Sequence, residues 1–150
     1  MKQESGIYFE NICFVPVLHG RLVVEMAVIR WFARWLPDAV AVEFPGTLRE
    51  PLLKGLKRLP LLSVVLYDEK DGTHVYLPLE PNDGVVEAAR LALTHDRPLL
   101  FIDRDLESMP QIIEAFPDPY AMQRIGHTAY CQVYADQSAE REATRQDLLR

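Results

Sequence analysis

The chain has 150 residues, of which 49% are hydrophobic and 25% are charged. This length and this apolar content suit one globular domain with a sizeable core. The formal net charge is −6, and no run of Lys or Arg is longer than two residues. A nucleic-acid-binding face requires a basic patch, so we expect no nucleic-acid partner.

Membrane insertion and disulfide chemistry are not expected either. The start, MKQESGIYFE, is polar where a signal peptide would be apolar. Glu25, Arg30 and Arg34 interrupt the most apolar stretch, which leaves no run of about 18 apolar residues to span a membrane. Two cysteines, Cys13 and Cys131, are too few for a disulfide framework or a zinc site. These features predict a cytoplasmic protein.

The first half of the chain alternates strand and helix patterns. Residues 12–18, ICFVPVL, predict a short buried strand that Pro16 interrupts. Residues 21–36 predict a helix, because their few polar positions fall on one stripe of a helical period. Residues 39–44, AVAVEF, are apolar without alternation up to Glu43, which is typical of a central parallel strand.

The second half continues this alternation and adds one hairpin. Thr47, with Glu50 three residues later, predicts the capped start of a helix. The turn signal at Asp71-Gly72 joins two apolar runs and predicts a β-hairpin. The predicted elements of this half are a helix over 47–59, strands over 61–67 and 73–79, a helix over 81–94, a strand over 97–103, a helix over 108–116, a short strand over 132–134 and a helix over 138–150.

Alternating strands and helices predict an α/β fold, a three-layer sandwich with a mostly parallel sheet and one β-hairpin. We expect residues 1–150 to form a single domain. The final segment, SAEREATRQDLLR, carries little apolar surface before Leu148 and Leu149. That pattern predicts that the chain is the N-terminal part of a longer protein, and a frayed terminal helix is the alternative.

The ends of the predicted strands carry the candidate functional residues. In open parallel sheets, ligands bind beyond the carboxyl ends of the strands. His19 follows the first predicted strand, Glu43 ends the second, Glu80 follows the hairpin and Asp103 ends the last. On neighbouring parallel strands these side chains would meet, and they could bind a divalent metal or provide a general base with an acid partner. Polar residues also end strands for purely structural reasons.

Glu43 is the most informative of these candidates. It follows four apolar residues in its strand, so we expect it to be partly buried and to need a partner. Arg49 or His19 could supply that partner, and a structural ion pair would satisfy Glu43 without catalysis. His127 could fold back to the same set as a further histidine.

A family resemblance rests on the same residues. A strand that ends in His19-Gly20, an apolar helix and then PDAVAVEFPG, which contains Glu43, together resemble a known group. This group holds the erythromycin esterases, the TraB/PrgY-like proteins and the haem-binding ChaN-like lipoproteins. Its proteins carry a histidine after the first strand and a glutamate at the end of the second. The stretch THVYLPLEPNDGVVEAARLALTHDRPLLFIDRD is similar to an uncharacterised bacterial branch of the group.

The resemblance covers about residues 12–105 and implies an α/β fold with a site at the strand ends. Members of the group include ester hydrolases, proposed metal-dependent peptidases and haem binders. The Gly-Glu that usually precedes the histidine is Val17-Leu18 here, and a later Gly-x-x-His is absent. In both places the chain lacks residues that belong to the catalytic motifs of the group.

The first functional prediction is a hydrolase that cleaves an ester or an amide in a small molecule or a peptide. His19 is the predicted base or metal ligand, Glu43 orients it or shares the metal, and Asp103 is a third catalytic group. A water activated by the base or by a divalent metal would attack the carbonyl carbon.

Two further functional interpretations stay open. A module that binds a ligand or a protein partner without turnover would use the same residues or an apolar surface. Haem or iron binding is the third interpretation, since His and Tyr side chains are both available. The hairpin edge over residues 73–79 could pair between two chains, so a homodimer also stays open.

Overall fold

The computed structural model describes residues 7–68, 72–105, 118 and 120–139. These residues divide into two compact units. The larger unit spans residues 17–105, and the smaller unit combines residues 7–16 with 118 and 120–139. A single domain over 1–150 stays a prediction.

The helices and strands largely follow the predicted alternation. In chain order they are β1 (Ile7–Phe9), β2 (Ile12–Phe14), α1 (Leu22–Trp35), β3 (Val40–Pro45), a 3-10 turn (Gly46–Leu48), α2 (Arg49–Leu56), β4 (Ser63–Asp68), β5 (His74–Leu79), α3 (Gly84–Thr94), β6 (Leu99–Asp103) and α4 (Ala121–Ala139). The helix expected over 108–116 lies outside the described residues, as does most of the helix expected over 138–150. What is described is of the α/β class.

The strands of the larger unit form two separate ladders. β3 and β6 pair in parallel, with Val42 opposite Phe101. β4 and β5 pair antiparallel, with Leu66 opposite Tyr76, which confirms the predicted hairpin. The remaining described ladder, β1 with β2, is also antiparallel. Within the described residues, parallel pairing is therefore limited to β3 and β6.

The core of the larger unit lies between helices α2 and α3 and one face of each ladder. Successive side chains of a strand point to opposite faces, so Val42 and Phe44 are buried while Ala41 and Glu43 are exposed. The other members of this cluster are Leu48, Leu52, Leu56, Val65, Leu79, Val85, Val86, Ala89, Ala92 and Leu99. Because of this alternation, the carboxylate of Glu43 lies on the exposed face of β3.

Helix α1 packs against α3. Its buried residues recur at three- and four-residue spacing, as an amphipathic helix requires; they are Val24, Ala27, Val28, Trp31 and Phe32. Leu36 adopts a left-handed conformation with a φ of 46° and ends the helix before Pro37. The predicted helix over 21–36 is confirmed to within one residue at each end.

Close packing of α2 against the hairpin depends on a glycine. A Cβ on Gly55 would overlap Cδ1 of Leu79 and would lie 3.6 Å from Cβ of Ser63. Leu79 is completely buried, so its side chain has little room to move away. Any residue larger than glycine at position 55 must therefore push α2 away from the hairpin.

The opposite faces of the two ladders are apolar and exposed. Leu100 and Ile102 project from β6, and Leu66 and Tyr76 project from the hairpin. Helices α2 and α3 pack on the other face of these strands. The strands are thus covered on one side and open on the other.

The first predicted strand needs correction. Residues 12–18 are a strand only over Ile12–Phe14, where β2 pairs with β1 instead of opening a parallel sheet. Pro16 has no N–H to donate to a ladder, which limits the strand on this side. His19 is consequently held by a turn and not by the end of a parallel strand.

The strand predicted over residues 132–134 is wrong, because these residues lie in α4. Val and Tyr favour strands only weakly. The backbone of α4 is not helical at Gly126, and the buried Tyr130 and Cys131 lie in the helical segment that follows this kink. None of the described helices is both long enough and apolar enough to cross a membrane.

His127 makes local contacts in the smaller unit. Its Nε2 donates a hydrogen bond to the carbonyl oxygen of Pro16 at 3.1 Å, and Sγ of Cys131 lies 3.4 Å from the same nitrogen. Burial raises the pKa of the Cys131 thiol. A raised pKa disfavours the thiolate, which is the nucleophilic form of cysteine. These contacts give His127 a structural role within this unit.

Candidate functional site

His19 and Gly20 form a turn immediately before α1. Gly20 has a φ of 66°, in the left-handed region that glycine adopts without strain. The imidazole of His19 is open to solvent, with 71% of its side-chain surface exposed. This turn therefore presents a histidine that a solvent molecule or a ligand can reach.

Asp83 is the N-cap of α3 and is buried. Its Oδ1 accepts hydrogen bonds from the backbone N–H groups of Val85 at 2.9 Å and Val86 at 3.1 Å. The first turn of a helix leaves these groups without intrahelical partners, and an aspartate at the N-cap satisfies them. The helix thereby fixes the position of the carboxylate.

The other oxygen of Asp83 binds the turn. Oδ2 accepts a hydrogen bond from Nδ1 of His19 at 2.8 Å and one from the backbone N–H of Gly20 at 3.1 Å. One carboxylate thus receives two hydrogen bonds from α3 and two from the turn. Because Nδ1 carries the donated proton, Nε2 on the far side of the ring is the nitrogen that can act as a base.

Apolar packing holds the turn against the start of α3. A Cβ placed on Gly84, the first residue of α3, would lie 3.1 Å from Cγ1 of Val17 and 3.1 Å from Cγ1 of Val24. These two valines flank the turn in the sequence. Gly84 therefore allows the turn to approach the Asp83 carboxylate closely.

The ion pair shifts the pKa of both partners. The hydrogen bond to Asp83 is the largest influence on His19 and raises its pKa. Burial opposes that effect, and the charges of Asp83 and Glu43 raise the pKa further. For Asp83, burial is the largest single influence and acts to raise the pKa. The hydrogen bonds from His19, Val86 and Gly20, together with the charge of His19, outweigh it and hold the pKa of Asp83 below its usual range.

Two further carboxylates are relevant to the turn that carries His19. Glu43 is exposed near the end of β3, and its charge acts on the imidazole of His19. Glu80 lies against the turn, since its Oε2 would be 3.8 Å from a Cβ placed on Gly20. Of the predicted candidates, Glu43 therefore acts on His19 through its charge, and Glu80 lies beside the turn that carries His19.

Asp103 makes a local contact instead. It ends β6 opposite Pro45 and is exposed. Its Oδ1 accepts a hydrogen bond from the backbone N–H of Arg104 at 2.8 Å, as expected of an aspartate that starts a turn. Its predicted part in the site stays a prediction.

Arg49 does not serve as the expected partner of Glu43. Its guanidinium donates to the carbonyl oxygen of Leu99 at 3.3 Å and lies 5.2 Å from the ring centroid of Phe101. Of the two partners considered for Glu43, His19 is the one on which its charge acts. This effect is purely electrostatic, and the imidazole on which it acts is exposed.

A metal ion requires several donor side chains arranged around one point. Within the residues that the structure describes, no group of three His, Cys, Asp or Glu side chains is arranged to hold a metal ion. His19 already uses Nδ1 to donate to Asp83, so Nε2 would be its metal-binding atom. His19 and Glu43 alone supply fewer protein ligands than the three that a catalytic metal site normally uses, and metal binding there stays a prediction.

Sequence reasoning missed Asp83. Its position before Gly84 and an apolar run is typical of an N-cap, and that signal could have located it. Nothing local, however, indicates that the cap also binds a histidine 64 positions earlier. That contact depends on how α1 packs against α3.

Comparisons of the chain with models of known families, with curated proteins and with solved structures found no match. The functional interpretation therefore rests on the geometry around His19 and Asp83. The resemblance based on His19 and Glu43 stays a prediction.

Proposed function

We propose that this protein is a hydrolase that cleaves an ester or an amide in a small molecule or a peptide, with His19 as its general base. The observation that supports this most directly is the 2.8 Å contact between Nδ1 of His19 and Oδ2 of Asp83. A carboxylate in this position fixes the tautomer and orientation of an imidazole and stabilises the imidazolium that forms. The imidazole is also open to a substrate.

The proposed reaction uses a water molecule bound at Nε2 of His19. Nε2 takes a proton from the water while the water oxygen attacks the carbonyl carbon, and His19 becomes an imidazolium beside the Asp83 carboxylate. The imidazolium then gives its proton to the leaving alcohol or amine as the carbon–heteroatom bond breaks. The histidine returns to its neutral form, and a carboxylic acid is the other product.

Glu43 and Asp103 complete the proposed site. Glu43 raises the pKa of His19 through its charge, so it favours the imidazolium that forms in the reaction. Asp103, near the ladder end that also carries Glu43, is the third proposed group. A divalent metal on His19 and Glu43 remains part of the proposal, but no step above requires it.

The test uses the full chain and a panel of activated aryl esters and amides. His19→Ala should abolish most of the turnover while the protein stays folded. His74→Ala is a matched control, because His74 also donates through Nδ1 to an aspartate, Asp68, at 2.6 Å. Equal turnover in the parent and the His19 variant would reject His19 as the base.

A binding module without turnover is the second candidate function. The exposed apolar faces of the two ladders favour it, because large apolar surfaces on soluble proteins commonly mark interaction sites. A ligand, a protein partner or a second copy of the chain could use them, and haem or iron binding belongs to the same class. A folded parent protein without turnover on any ester or amide of the panel would favour this alternative.

We also propose a three-layer sandwich with a mostly parallel sheet for the complete fold, in a cytoplasmic protein of the erythromycin esterase, TraB/PrgY and ChaN-like group. The open apolar faces support this, since a parallel sheet is normally covered by helices on both sides. Leu66→Lys tests the third layer. If that face is covered, the variant should lose roughly 1–3 kcal/mol of stability, and an unchanged free energy of unfolding would oppose the proposal.

A further inference from the structure

Helix α1 carries a second apolar stripe, on the side opposite its buried residues. The members of this outer stripe follow each other at intervals of four, three and four positions, and all are exposed: Leu22, Met26, Ile29 and Ala33. The residues that α1 buries are a separate set. Alternating intervals of four and three are those of the a and d positions of a heptad, the pattern by which one helix packs against another.

The charged residues of α1 lie beside the outer stripe and not within it. Glu25 and Arg30 flank it on its two sides, as 3.6 residues per helical turn requires. Val23, next to Leu22, is also exposed and widens the apolar surface. Because packing against α3 already holds α1 in place, a partner would bind this surface without a large cost for ordering the helix.

The charges beside the outer stripe make α1 complementary to a second copy of itself. In heptad terms, Glu25 takes the g position and Arg30 takes the e position that follows. In a parallel pair of helices, a g residue lies beside the following e residue of the partner, and such ion pairs set the orientation. In an antiparallel pair, g positions face g positions, so Glu25 would meet Phe32 or a second Glu25 and would gain no ion pair.

The side of α1 that carries Glu25 also has an excess of negative charge. Glu87 on α3 binds Arg90 through both carboxylate oxygens, each at 2.6 Å. Burial is the largest influence on Glu25 and raises its pKa, the charge of Glu87 raises it further, and Arg90 lowers it. Two carboxylates therefore share one guanidinium, and a second cation on this side would stabilise the ionised form of Glu25.

We propose that two copies of the chain associate through α1, with the helices parallel, the outer stripes in contact and Glu25 of each copy paired with Arg30 of the other. A two-fold axis parallel to the helix generates both ion pairs, as a self-complementary interface requires. The apolar contact supplies the affinity, and the ion pairs select the parallel orientation. This surface is distinct from the hairpin edge over residues 73–79, the other place where two chains could pair.

The first test measures the molar mass of the full chain by sedimentation velocity over a range of concentrations. The parent should form a reversible dimer, and Ile29→Glu should weaken association by about tenfold or more, because each copy would place a charge in the apolar contact. Leu93→Glu on α3 is the matched control, since 37% of Leu93 is exposed against 36% of Ile29. Met26→Glu repeats the test at a second stripe position, and circular dichroism verifies that each variant is folded.

The second test addresses the parallel arrangement through its charges. Glu25→Arg alone and Arg30→Glu alone should each raise the dissociation constant roughly tenfold at low salt, because two attractive pairs become two repulsive ones. An equimolar mixture of these two variants should associate again. In the mixed dimer each altered position meets the opposite charge on the other copy, which happens only if positions 25 and 30 lie side by side.

A parent chain that stays monomeric at every concentration would overturn the proposal. So would a dimer that Ile29→Glu and Met26→Glu leave intact, or one that Leu93→Glu weakens as strongly, because association would then not depend on the outer stripe. A dimer that needs the stripe but whose two charge variants fail to associate with each other would overturn the parallel pairing. Loss of the dimer in the stripe variants, with recovery in the charge mixture, is the result expected.

Discussion

Nδ1 of His19 and Oδ2 of Asp83 lie 2.8 Å apart, although 64 positions separate the two residues in the sequence. The same carboxylate caps α3 through Val85 and Val86. A helix terminus and a candidate general base therefore share one side chain. This arrangement allows the two roles of Asp83 to be separated by the choice of substitution.

Asp83→Asn should reduce turnover far more than it reduces stability. Asparagine is as good an N-cap as aspartate, but it cannot stabilise an imidazolium by charge, and related sites lose about 10²–10⁴ in rate. Asp83→Ala should lose activity as well and should cost about 1 kcal/mol or more through the missing cap. Kinetics and urea unfolding of both variants separate these effects. Turnover of Asp83→Asn at the parent rate across the pH range would contradict the assigned role.

Stability and activity should change in opposite directions with pH. The pKa of His19 is raised in the folded state, so the ion pair stabilises the fold fully below the ordinary histidine pKa of about 6.5. That stabilisation is lost as the pH rises through the raised pKa of His19. The neutral base appears over the same interval, so kcat/KM should increase there.

Urea unfolding at several pH values, with the parent and His19→Ala side by side, measures the stability change. The difference in unfolding free energy between the two proteins should be largest at mildly acid pH and should shrink as the pH rises. A difference that grows with pH would show that the His19 pKa is lowered and not raised.

Gly20→Ala should impair the turn that carries His19. A residue with a Cβ at a φ of 66° costs about 1–2 kcal/mol in the left-handed region, and a shift of the turn would lengthen the contact between His19 and Asp83. Gly20→Asn is the matched control, because asparagine tolerates this conformation better than alanine does. We expect the order parent, Asn, Ala in both thermal midpoint and kcat/KM. Alanine as active and as stable as asparagine would contradict the geometric requirement.

Gly55→Ala should destabilise the larger unit by about 1–3 kcal/mol, because overpacking a filled core costs this much. The added Cβ would overlap the buried side chain of Leu79. Gly46→Ala is the control, since a Cβ there would meet nothing within 4 Å. Urea unfolding of the two variants gives the comparison. Equal stabilities would show that α2 and the hairpin can separate at little cost.

A double-mutant cycle with Leu79→Ala tests the same contact independently. Leu79→Ala alone should cost about 2–5 kcal/mol by opening a cavity. In the double variant the alanine at position 55 has room, so the combined loss should be smaller than the sum of the two single losses. Additive losses would mean that position 55 and Leu79 do not conflict.

Periodic patterns in the sequence predicted the elements of the larger unit well. The helical stripe over 21–36 and the turn signal at Asp71-Gly72 depend on local spacing, and the helix and the two paired strands of the hairpin are present. The failures came where a short apolar run had no periodic signal. Residues 132–134 are helical because they continue the helical segment that contains the buried Tyr130 and Cys131. Three residues are too few to show a helical or a strand period.

The candidate site was predictable only in part. Polar residues after apolar runs located His19 and Glu43, and the charge of Glu43 raises the pKa of His19. Asp83 lies at a helix start and not at a strand end, so a search of strand ends could not find it. The contact with His19 requires the packing of Val17 and Val24 against Gly84, which is a property of the tertiary fold.

The shared carboxylate of Asp83 gives the protein an internal reporter of the charge on His19. When His19 loses its proton, the charge at Oδ2 is no longer balanced, and the amide protons of Val85 and Val86 bonded to Oδ1 sense the change. Their NMR chemical shifts should therefore titrate with the pKa of His19, and the curve should vanish in His19→Ala. The protonation state of the candidate base can be followed in this way with no substrate at all.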